Sequence, residues 1–217
     1  MVNELKNNVR RSGHVIWLFV LVISQLLVSG LSAQQTVLYR DAEADFSNLV
    51  KEYEQGLYGR CIRSADKYKT VYKEPAFEQF ALEAELYKLK AGLNIGNPNI
   101  INQVFAFAES FKSDAVSEKA VLLIGEDAYD RKEYEEAVKY LSMVDGSALQ
   151  PEEQSALNFK LGYVLFVRKE FERAATLFYM GREVRDKYYY PANYYYGMTQ
   201  YFAGNYPEAV RSFERVA

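Results

Sequence analysis

The residues in this chain best suited to chemistry are its carboxylates, which come in close pairs: Glu52 and Glu54, Glu83 and Glu85, Glu135 and Glu136, Glu152 and Glu153. Two carboxyls facing each other across a cleft are what acid/base cleavage of a glycosidic bond requires. Each pair, however, is interleaved with Lys, Arg or Ala on a helical stretch, the pattern of a solvated helix face, and that is the reading it receives. The only histidine is His14 and the only cysteine is Cys61. Beyond the first segment the chain therefore lacks a serine–histidine or cysteine–histidine set, and lacks the histidine or cysteine cluster that holds zinc. No glycine loop with its lysine is present to cradle a phosphate. No catalytic residue, metal or cofactor is expected, and Cys61 is expected to be a packed, inert thiol.

Residues 1–33 read as an address. Lys6, Arg10 and Arg11 precede an apolar run from Val15 to Val28, and Ser29 to Ala33 follow as a mostly small-residue segment before Gln34. The run of 14 residues is short for a bilayer span, so a cleaved secretory signal is predicted. The alternative is a retained anchor reaching to Leu31, against which stand Ser24 and Gln25. Removing residues 1–33 takes away Glu4, Lys6, Arg10 and Arg11 and leaves 23 basic against 28 acidic side chains, a net charge of −5. That balance argues against nucleic acid and against an anionic membrane surface. No integral span is expected in the mature chain, and the periplasm or envelope of a Gram-negative-type bacterium is the expected location.

The elements that position these residues repeat. Gly162, Phe171, Ala174 and Phe178 return 35 residues later as Gly197, Tyr206, Ala209 and Phe213, and stand 37 residues after Gly125, Tyr134, Ala137 and Leu141. Apolar residues at helical spacing, a polar break and a second apolar stretch make each unit a pair of antiparallel helices. Pro151 opens one first helix, Pro191 the next, and Gly204 with Asn205 supplies a turn before Pro207. Upstream, Gly56 to Cys61 resembles the same turn with Cys61 in the alanine place, and a degenerate unit is expected with helices over 76–93 and 99–112. The predicted organisation is a signal over 1–33, a linker over 34–40, degenerate helix pairs over 41–112 and three clearer units over 113–217. Val210, Phe213 and Val216 give the last helix an apolar side with no terminating residue, so the last unit is expected to be truncated and the chain to be the front of a longer protein.

These residues resemble the tetratricopeptide repeat (TPR) family, whose pattern places Leu-Gly in the first helix and Ala-x-x-x-Phe in the second. Leu161-Gly162 with Ala174 and Phe178 carries the resemblance best; Gly197 with Ala209 and Phe213 follows, then Gly125 with Ala137 and Leu141. Asn158 and Asn193 stand where the family has its first-helix tryptophan. The resemblance implies an all-α solenoid, a right-handed superhelix whose concave face comes from first helices. It places Tyr129, then Phe159, Tyr163 and Phe166, then Tyr194, Met198 and Tyr201 on that face as an aromatic strip for an extended peptide or a partner's helix. Packing between units is the alternative use of the same aromatics, and stacking on a sugar a lesser one. The expected function is a non-enzymatic, protein-binding scaffold of the envelope. The alternative is the repeat region of a longer envelope enzyme or glycan-handling protein, with its active domain beyond residue 217.

Overall fold

The computed structural model describes residues 37–112 and 114–217, so the expected leader lies outside the described residues. Ten helices run through them: α1 (37–54), α2 (Tyr58–Val71), α3 (Glu78–Asn94), α4 (Ile100–Ser110), α5 (Ala115–Asp130), α6 (Tyr134–Leu141), α7 (Pro151–Val167), α8 (Phe171–Gly181), α9 (Tyr189–Phe202) and α10 (Tyr206–Glu214). They form five consecutive helix pairs, and no strand occurs among the described residues. Residues 37–40, expected as linker, are helical and belong to α1.

Each pair turns in the same way. Gly56, Gly96, Lys132, Lys169 and Gly204 have φ of 73°, 68°, 62°, 66° and 75°, the left-handed conformation that stops a helix. The amide after each reaches back five residues: Leu57 to Glu52, Asn97 to Gly92, Glu133 to Ala128, Glu170 to Leu165 and Asn205 to Gln200, at 2.8 to 3.0 Å. These bonds satisfy carbonyls that would otherwise end each first helix unpaired. The repeat is thus complete in the backbone, including the two pairs whose side-chain pattern is degenerate.

Local chemistry explains the other boundaries. Asp114 caps α5 by accepting the Val116 N–H at 2.9 Å. Pro151 sits in the first turn of α7, and Glu153 accepts the Gln150 N–H at 2.9 Å to close a capping box. A 3₁₀ turn at Pro75–Phe77 occupies the expected start of α3. Pro191 lies inside the first turn of α9 instead of opening it, tolerated because amides there have no intrahelical partner. Asp186 anchors that entry by accepting the Tyr188 N–H at 2.7 Å.

Within pairs, the small residues sit under large ones. A Cβ on Gly125 would lie 2.5 Å from Leu141 Cδ2, one on Gly162 3.0 Å from the Phe178 ring, and one on Gly197 2.6 Å from the Phe213 ring. Ala137, Ala174 and Ala209 are buried on the facing second helices. Leu49 and Ala65 hold the same register 76 residues before Gly125 and Leu141, both fully buried, so the first pair places its large residue on the other helix. Cys61 is buried in that pair, and burial, then Glu52, pushes its thiol up to about 11, which keeps it in the less nucleophilic protonated form at neutral pH. The core is divided into three clusters, around α1–α3, α3–α5 and α5–α9, as expected where each unit buries its face on its neighbours. Asn193, fully buried at the tryptophan place, donates from Nδ2 to the carbonyls of Arg182 and Tyr189 at 3.0 and 2.8 Å. It ties the end of α8 to α9 by hydrogen bonds.

Candidate functional site

The first helices α3, α5, α7 and α9 pack side by side along one face. On α5 the positions Lys119, Leu122, Glu126 and Tyr129 share that face, and on α7 so do Glu152, Ala156, Phe159, Tyr163 and Phe166, by their three- and four-residue spacing. The two ends of these stripes have different fates.

The C-terminal ends are covered. Tyr163 meets Tyr129 at 5.7 Å and Tyr195 at 5.2 Å, Phe166 meets Tyr195 at 5.2 Å, and Phe159 stacks on Tyr188 at 5.0 Å. Phe159 is only 8 % exposed, and Tyr129, Tyr163 and Phe166 are half-buried against the core of α5–α9. Four of the seven residues expected to form the aromatic strip therefore pack between units. Tyr194 and Tyr201 are exposed and Met198 is half-buried, but Tyr194 lies against Phe213 at 5.9 Å and Tyr201 against Tyr206 at 5.6 Å. The seven side chains do not make one continuous groove, because the residues before and within α9 lean back across α7.

The buried hydroxyls have a measurable consequence. Burial, then neighbouring Tyr163 and Tyr134, pushes Tyr129 up to about 12; burial also pushes Tyr68 and Tyr72 to about 12. These folded values exceed the unfolded one of about 10, so the fold retains protons that the unfolded chain releases as pH rises. Stability is complete below about pH 10 and falls as pH climbs toward 12. We expect the thermal midpoint to decline across that window while tyrosinate absorbance develops in two stages. A single titration near the ordinary value with an unchanged midpoint would contradict this.

The N-terminal ends of the same stripes stay open. They border a cleft of about 550 Å³ between α3, α5, α7 and residues 186–188. Its floor is apolar, from Leu86, Leu122, Leu123 and Ala156. Its walls carry Glu83, Glu126, Glu152, Glu153 and Asp186, with Lys90, Lys119 and Lys187 among them. Lys119 spans the cleft, its ammonium 3.2 Å from Glu83 on α3 and 3.2 Å from Glu153 on α7. Burial pulls its affinity for a proton down, but the two carboxylates outweigh that and the net shift is upward. One turn further along, Lys160 of α7, its side chain 9 % exposed, reaches Glu126 and Asp130 of α5 at 3.1 and 3.5 Å and lies over the Tyr129 ring. Burial, then Glu126 and Asp130, raises the Tyr188 hydroxyl above its ordinary value.

Of the carboxylates on its walls, Glu83, Glu126 and Glu153 are engaged with lysines and Asp186 with a backbone amide, while Glu152 is exposed; among the described residues no group of His, Cys, Asp and Glu is arranged to hold a metal. Sequence reasoning reached the stripes but selected only their aromatic ends. Extending Tyr129 back through Glu126, Leu122 and Lys119 at helical spacing would have led to the cleft.

The fold is that of a TPR-like α-solenoid. The chain is similar to a crystal structure of the MamA protein, with 18 % identity and a TM-score of 0.52 over 81 % of this chain and 89 % of that one. A MamA AMB-1 structure aligns with a TM-score of 0.54 at 16 % identity, over 81 % of this chain and 89 % of that one. A further MamA crystal structure aligns at 19 % identity and a TM-score of 0.52 over 76 % and 90 %. These likenesses are of fold. No protein-family model and no curated relative matches the chain. No helix among the described residues is long and apolar enough to cross a membrane.

Proposed function

We propose that this chain is a non-enzymatic scaffold that binds a protein partner in the cleft between α3, α5 and α7. The observation that carries this is the cleft itself: a concave apolar floor of Leu86, Leu122, Leu123 and Ala156, ringed by charge, on the face where first helices align. Its internal ion pairs hold the three helices in register without closing the opening. The basic start, short apolar run and small residues over 1–33 support export to the bacterial envelope, and amino-terminal sequencing of the chain recovered from an envelope fraction, starting at Gln34, is the check. Leu123→Glu places a charge on the half-buried floor. We expect it to weaken a captured partner by at least about tenfold; because Leu123 also packs against the α3–α5 core, helicity and denaturation midpoint are measured alongside to separate lost binding from lost folding. Equal capture by parent and variant would remove the cleft from the function.

We propose as a second reading that the exposed surface of α9 and α10 packs against a further helix pair, as it would in the repeat region of a larger envelope enzyme or glycan-handling protein. Tyr194, Tyr201 and Tyr206 hold the places of Phe159, Phe166 and Phe171, 35 residues earlier. The earlier set lies in the interface that α9 covers, whereas Tyr194 is 44 % and Tyr201 53 % exposed, and Phe202 and Val210 beside them are exposed too. That face fits a further helix pair of the same kind. Appending a helix with a matching apolar stripe and a polar outer side should raise the denaturation midpoint of α9–α10; no change would count against it.

A further inference from the structure

We infer that the occupant of the cleft is a basic, amphipathic segment: aliphatic side chains for the floor, flanked by lysine or arginine for the walls. This rests on the cleft reading above and adds the chemistry of the partner. The walls carry five carboxylates against three ammonium groups. The ammonium groups are already committed. Lys119 is held between Glu83 and Glu153, 3.2 Å from each, so it cannot turn to clamp an incoming carboxylate without breaking two pairs. Lys90 lies over the Tyr53 ring at 5.0 Å and Lys187 over Tyr188 at 4.9 Å, each on the negative face of an aromatic.

The carboxylates are less fully matched. Glu126 shares Lys160 with Asp130, Asp186 serves a backbone amide, and Glu152 is exposed at the start of α7 with no ion pair among the described residues. After internal pairing the cleft keeps a negative surplus around an apolar floor. An acidic segment would meet repulsion at every wall, and a neutral one would leave the surplus unanswered. A basic amphipathic segment answers both features at once.

The test uses the chain with its leader removed and three labelled helical peptides sharing one leucine stripe, with lysine, glutamine or glutamate on their other positions. Fluorescence anisotropy should show the lysine peptide binding at least about tenfold tighter than the glutamine peptide, with the gap shrinking as salt is raised. Glu152→Lys should narrow that gap several-fold while leaving the glutamine peptide unchanged; this side chain is solvent-exposed, so the fold is not at stake. Equal binding of the lysine and glutamine peptides, both lost in Leu123→Glu, would overturn the charge inference and leave the cleft standing. Tightest binding by the glutamate peptide would overturn it outright. Binding by none of the three would remove the cleft reading and this inference with it.

Discussion

Phe178→Ala lowers stability by about 3 to 5 kcal/mol, the usual cost of truncating a fully buried phenylalanine. The side chain has no exposed surface. Its ring covers Gly162 on its own pair, stacks on Tyr195 of α9 at 5.6 Å and lies 6.0 Å from Phe159. The void left by alanine would therefore border α7, α8 and α9 together. Collapse into it is hindered because Gly162 has no side chain to offer and the surrounding rings are fixed by one another. Since each unit couples mainly to its neighbours, the loss should be local. Hydrogen exchange should quicken over α7–α10 while α1–α4 keep their protection, and the denaturation midpoint of the C-terminal half should fall. Equal midpoints for parent and variant would refute the packing role.

Gly125→Ala is expected to destabilise by about 1 to 3 kcal/mol, against the usual direction. In a helix interior the same change ordinarily gains about 0.5 to 1 kcal/mol by restricting the unfolded chain. Here the new methyl would stand 2.5 Å from Leu141 Cδ2 and 3.0 Å from the Leu141 backbone nitrogen. A rotamer change can move the side chain away, but the backbone contact yields only if α6 shifts off α5. Gly181→Ala, at the last residue of α8, is the comparison, since its methyl would meet Asn158 Cβ at 3.4 Å, the near edge of ordinary contact, with no backbone atom closer than 3.8 Å. Chemical denaturation should move the two midpoints in opposite directions. A midpoint for Gly125→Ala at or above that of the parent would show that α6 gives way freely.

The contrast between these glycines shows what the sequence could and could not display. Gly125, Gly162 and Gly197 recur with their large partners at a fixed spacing, so the paired helices were legible from side chains alone. The first two pairs were less so, because Leu49 and Ala65 exchange the large and small roles and because Gly92 lies under Ile100 instead. Total volume is kept while the pattern that a reader looks for is lost. The aromatic strip was half legible. Helical spacing groups Phe159, Tyr163 and Phe166 on one stripe of α7, yet whether a stripe is open depends on how far the next unit leans over it. That lean is set by Tyr188 and Tyr195, residues of another pair. The cleft was missed for a related reason: Lys119, Leu122 and Ala156 are individually ordinary, and only the spacing of three helices makes them walls and floor.

The five left-handed turns bear on how the chain reaches this structure. Each is closed by bonds that span five residues or fewer, and the helices on either side of it meet within about 35 residues of sequence. The entropy lost in bringing such segments together is small, since loop closure grows only slowly with length and these loops are short. No turn waits for a distant strand or a far terminus. Folding can therefore start at any of the five pairs and spread to its neighbours, and a pair that has formed early offers the next one a ready apolar face, as α8 does for α9.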